Sequence, residues 1–86
     1  MLKDIIAVTP LSGYRLHLRF EDGTEGTLGV CELVPFEGIF SPLADLDYFA
    51  QVKVNAELGT IHWPNGADLD PDVLYAHITG TTVGKF

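Results

Sequence analysis

The most regular stretch of the chain is Tyr14 to Phe20, YRLHLRF, where Tyr14, Leu16, Leu18 and Phe20 alternate with Arg15, His17 and Arg19. Successive side chains of a strand point to opposite faces, so this alternation predicts a half-buried strand with one apolar and one polar face. Before it, residues 2 to 9 (LKDIIAVT) form a β-branched run closed by Pro10 and the turn formers Ser12 and Gly13, a first strand with a blurred period. After it, EDG leads into TEGTLGV, and the faces that must match across the hairpin select its register. A two-residue loop of Asp22 and Gly23 sets Phe20 against Glu25 and Arg15 against Val30. A three-residue loop, Glu21 to Gly23, sets Leu16 opposite Leu28, Tyr14 opposite Val30 and Arg19 opposite Glu25. The second keeps apolar residues together and is the expected register, with Gly23 in the left-handed conformation such loops need.

The pattern then changes. CELVPFEGIF (31 to 40) has no clean period, and Pro35 and Gly38 mark it as a loop carrying Phe36, Ile39 and Phe40, three apolar groups that need burial. Ser41 followed by Pro42 is an N-cap and first-turn signature, and Leu43, Leu46 and Phe49 recur at helical spacing, predicting a short helix over about 42 to 50. QVKVN and GTIHW read as two short strands around the turn AELG, with Val52, Val54, Ile61 and Trp63 pointing inward. Asp70 before Pro71 repeats the cap signature, and Val73, Leu74 and Ile78 predict a last helix stopped near Gly80. The expected organisation is α+β, roughly βββαββα: a small antiparallel sheet in two hairpin units with two short helices. Residues 1–80 make one domain and 81–86, TTVGKF, a short C-terminal tail.

Length and composition fit this picture. Eighty-six residues leave room for one core, and 47% apolar residues suffice to fill it. Twelve acidic against five basic residues, a net charge of −7, repel phosphate backbones, so nucleic acid is not an expected partner, whereas a basic protein is favoured. The single cysteine, Cys31, permits no disulfide within the chain and fits a reducing cytoplasm. The N-terminal apolar run is broken by Pro10 and Arg15, too short for a membrane span or an ordinary signal peptide, so no membrane partner is expected.

Candidate chemistry concentrates in WPNGADLDPD, residues 63 to 72. Asp68, Asp70 and Asp72 have the D-x-D-x-D spacing that opens a calcium loop. The rest of that loop is missing, since Val73 stands where glycine is required and Thr79 where a bidentate glutamate is required. A local account covers two of the three acids: Asp70 caps the last helix and Asp72 sits in its first turn, where the dipole favours an anion. Asp68 is left without a structural role, and Asp68 with Asp70 is the alternative ligand or metal site, joined by His62 or His17. His17, His62 and His77 have no metal-ligand spacing and read as scattered surface histidines. The face of RLHLR is mildly basic and either pairs with Glu25 or docks an anionic group. Cys31 has no basic neighbour, and no phosphate loop, serine elbow or zinc-type histidine pair occurs, so neither catalysis nor a cofactor is expected. Phe36, Phe40 and Trp63 are the candidate contact residues, while core packing is the competing role of Trp63.

The runs YRLHLRFEDGTEG, YFAQVKVN and GTIHWPNGADLDPDVLY, in this order and spacing over most of residues 3 to 75, resemble the small bacterial proteins of domain of unknown function 2442. The most specific run is W-P-N-G-A-D-x-x-P-D-x-L-Y. One departure is Gly29, where relatives commonly carry an aspartate. The resemblance implies a small α+β domain without an established activity or cofactor. It also implies relatives that partner a second small protein in toxin–antitoxin-like pairs, and others with a C-terminal helix-turn-helix that this chain is too short to contain. Together these readings predict a non-enzymatic cytoplasmic interaction module that engages a protein partner or its own copy through the aromatic loop and an edge strand. The alternative is a small-ligand or metal-binding domain with its site near Asp68.

Overall fold

A computed structural model describes residues 4–80. The expected tail, 81–86, and the first residues of the expected first strand lie outside the described residues. The chain forms β1 (Ile5–Leu11), β2 (Arg15–Phe20), β3 (Glu25–Gly29), short 3-10 segments at Val30–Glu32 and Gly38–Ala44, α1 (Leu46–Phe49), β4 (Lys53–Asn55), β5 (Thr60–His62), β6 (Asp68–Leu69) and α2 (Pro71–Thr79). The strands make two antiparallel three-stranded sheets, ordered β1-β2-β3 and β4-β5-β6. The fold is α+β as expected, with β6 added to the expected order.

The central strand β2 forms where the alternation is cleanest: Leu16, Leu18 and Phe20 are fully buried and Arg15 and Arg19 are exposed. Its pairing with β3 sets Leu16 opposite Leu28 and Arg19 opposite Glu25, the three-residue-loop register, and Gly23 has φ +90°. β1 continues through Pro10 to Leu11 instead of ending before the proline. An edge strand tolerates a residue that lacks an N–H, because one side of its ladder is empty. The turn into β2 puts Gly13 at φ +74° and Tyr14 at φ +57°. A left-handed tyrosine costs about 1–2 kcal/mol, and it is held by its hydroxyl donating to the Ala44 carbonyl and by edge-on contacts with Phe36 and Phe49.

The second sheet repeats the hairpin of the first. In Phe20–Thr24 the Gly23 N–H donates to the Phe20 carbonyl (3.0 Å) and the Phe20 N–H to Thr24 (2.8 Å). In Trp63–Ala67 the Gly66 N–H donates to Trp63 (2.9 Å) and the Trp63 N–H to Ala67 (2.9 Å). Gly23 and Gly66 share φ +90°, and the side-chain oxygens of Asp22 and Asn65 accept from the N–H two residues on. Each hairpin is a turn closed by a left-handed glycine, with a fully buried aromatic at its start. Helix side chains clamp both loops: the Tyr75 hydroxyl donates to Asp22 (2.7 Å), and the Tyr48 hydroxyl accepts from the Asn65 N–H (2.8 Å).

One core lies between the sheets and the helices, joining Leu16, Leu18, Phe20, Leu28, Phe49, Ile61, Trp63 and Leu74. Gly26 lets α2 approach: a Cβ there would fall 2.6 Å from Cγ2 of Ile78. Three expectations for the middle of the chain are corrected. Ile39 is 51% exposed, and Leu46 is 56% exposed instead of facing the sheet. The helix expected over about 42 to 50 is instead a 3-10 segment to Ala44, a break at Asp45 (φ −83°, ψ 118°) and the short α1, and Asp45, not Ser41, caps α1 by accepting from the Asp47 N–H. That extended residue turns Leu46 out of phase with Leu43, which stays buried.

Candidate functional site

α2 begins as its sequence dictates. Asp70 is the N-cap and accepts from the Asp72 N–H (2.8 Å), Pro71 occupies the first turn, and Gly80 closes the helix in the left-handed conformation. Directly before the cap, the chain leaves the WPNG turn and runs along β5 for two residues as β6, pairing Asp68 with His62 and Leu69 with Ile61. The loop that carries Phe40 is tied to the same turn, because the Asn65 side-chain amide donates to the Ile39 carbonyl (2.8 Å).

These three segments enclose an open groove of about 300 Å³. Leu33, Val34 and Phe40 form one wall and Val73 of α2 faces them; Leu69 and Leu74, both buried, form the base, and Asp68 and Asp70 complete the lining. Among the described residues, no basic side chain lines it. The two carboxylates differ in use. That of Asp70 is engaged as the helix cap, whereas that of Asp68 is exposed and has no hydrogen bond or ion pair to another described residue.

Of the expected contact residues, only Phe40 lies on this groove. Trp63 is fully buried, with its indole N–H donating to the Phe49 carbonyl (3.0 Å), so it is a core residue and is corrected as a contact candidate. Phe36 is half-buried in an aromatic chain that runs from Phe36 through Tyr14 and Phe49 to Trp63. Leu33 and Val34 escape sequence reasoning, because nothing in the aperiodic stretch 31 to 40 distinguishes them from Ile39.

The structure brings Asp68 and Asp70 to one groove and sets His62 beside Asp68 across the ladder. His17 is elsewhere, on the outer face of the first sheet, where its ring nitrogens meet Glu25 (3.0 Å) and Thr27 (3.2 Å). His77 lies 3.6 Å from Glu32. Among the described residues, no three His, Cys, Asp or Glu side chains gather as a metal ion would require. Gly29 sits under Glu32, whose Oε2 would be 3.2 Å from an added Cβ. No helix among the described residues is long and apolar enough to cross a membrane.

The family model described as protein of unknown function (DUF2442) matches residues 5–80, and the chain belongs to that family. No curated protein and no solved structure matches it.

Proposed function

We propose that this chain, as a member of a family with no described activity, is a non-enzymatic cytoplasmic interaction module that holds a partner protein in the groove between the Phe40 loop, β6 and α2. In a toxin–antitoxin-like pair it would be the small acidic partner. The observation that carries this reading is the groove itself: an apolar base and walls beside an exposed carboxylate, Asp68, that no other described residue uses. Apolar grooves with a few polar groups at the edge are where proteins hold ligands and partner side chains. The net charge of −7 supports a basic partner over a second copy of the chain, since like charges at an interface disfavour association.

The test is affinity capture from cells by wild-type protein and by Val73→Glu, which puts a charge at an exposed groove position without touching the core. A defined protein captured stoichiometrically by wild type and lost from the variant supports the module. A monomer that captures nothing, or captures the same proteins in both forms, removes it. The second reading, a small-ligand or metal site, rests on Asp68 and Asp70 sharing a groove whose size suits a small molecule. It requires calcium or zinc at millimolar concentration to shift amides over 66 to 72; unchanged spectra dismiss the metal.

A further inference from the structure

We infer that the partner enters this groove as an extended segment added to β6, with a Leu- or Val-sized side chain in the groove and a flanking Lys or Arg against Asp68 and Asp70. The inference rests on reading the groove as the partner site, and it names the chemistry of what binds there.

The first support is the sheet edge. β6 is the last strand of the β4-β5-β6 sheet, paired with β5 on one side only. Hydrogen-bonded and non-hydrogen-bonded pairs alternate along an antiparallel ladder. The Trp63 N–H donates to Ala67, so Trp63–Ala67 is a bonded pair, His62–Asp68 is not, and Ile61–Leu69 is bonded again. The N–H and C=O of Asp68 therefore point away from β5, toward the open edge. An added strand satisfies such groups, and a helix laid in the groove does not.

The second support is the arrangement of chemistry along that edge. Leu69 and Leu74 give the groove an apolar base, so a side chain inserted there loses water contact. Among the described residues, the charged groups lining it are Asp68 and Asp70. An apolar residue alternating with a cation matches both features, and a second copy of a chain with charge −7 lacks the complementary sign. Asp68, which has no part in the helix cap, thereby acquires two roles, one through its backbone and one through its carboxylate.

The test uses blocked octapeptides titrated into isotope-labelled protein of full length. One alternates Leu with Lys, one Leu with Glu, one Ser with Lys, and one is the Leu–Lys peptide N-methylated at alternate amides. The expected result is saturable binding of the Leu–Lys peptide alone, with amide shifts over 33–40 and 67–74. Asp68→Lys should weaken it by up to about fivefold, the upper end for one exposed charge pair. Equal binding of the Leu–Glu or Ser–Lys peptide overturns the side-chain chemistry, and equal binding of the N-methylated peptide overturns the added strand. If Val73→Glu abolishes capture of the native partner but no Leu–Lys peptide binds, this inference fails while the groove reading stands. If neither responds, both fail.

Discussion

Replacing Gly26 with alanine tests the placement of α2, the helix that supplies Val73 and Leu74 to the groove. An added Cβ at Gly26 lies 2.6 Å from Cγ2 of Ile78, with Cγ1 and Cβ at 3.5 and 3.6 Å. Carbon atoms prefer about 3.5–4.0 Å, so the overlap with Cγ2 is about 1 Å. Such overpacking costs about 1–3 kcal/mol. Against this, Gly→Ala stabilises by about 0.4–1 kcal/mol through the unfolded chain where the backbone is compatible, and Gly26 has no positive φ. The net expectation is a loss of up to about 2.6 kcal/mol, centred near 1 kcal/mol, with Tm falling by about 4–8 °C per kcal/mol lost in a domain of this size. In an Ile78→Ala background the overlap is gone, and Gly26→Ala should become neutral or stabilising by up to about 1 kcal/mol. Urea unfolding followed by the fluorescence of the lone, fully buried Trp63 measures all four members of the cycle. Equal effects of Gly26→Ala in the two backgrounds would refute the packing of α2 on β3.

Other expectations follow from single contacts. Asp70→Ala should cost about 1 kcal/mol as a lost cap, while Asp68→Ala should stay within about 0.5 kcal/mol of wild type; matched thermal melts decide whether the two acids divide as described. Asn65→Ala removes the bonds to the Ile39 carbonyl and the Ala67 N–H, and should cost about 1–3 kcal/mol. Hydrogen exchange over 38 to 44 and 65 to 67 should accelerate in that variant. Trp63→Phe leaves the Phe49 carbonyl without its indole donor and should lower stability by about 1–3 kcal/mol in urea unfolding followed by circular dichroism.

The parts of the fold readable from sequence are those where one face is buried and a turn fixes the register. Leu16, Leu18 and Phe20 share a face by alternation alone, and only a three-residue loop closed by Gly23 sets Leu16 opposite Leu28; Asp70-Pro71 marks a helix start because cap and first-turn chemistry are local. β6 was not readable, since two residues have no period and its existence depends on the Trp63–Ala67 hairpin bringing Asp68 back along β5. Leu46 misled because Leu43, Leu46 and Phe49 keep helical spacing through Asp45, whose extended backbone breaks the phase. The groove was half legible. Asp68 stood out as an acid without a local role, but its apolar neighbours come from positions 33 to 74 and meet only through tertiary contacts such as Asn65 with Ile39.

The most direct measurement of the central claim is photo-crosslinking in living cells, with a photoreactive amino acid placed in turn at Val73 on the groove and at Leu58, which is 62% exposed and not among the residues lining the groove. The account predicts one discrete heteromeric adduct from position 73, absent from position 58 and diminished by Asp68→Lys. No adduct from position 73, or the same adducts from both positions, would contradict it.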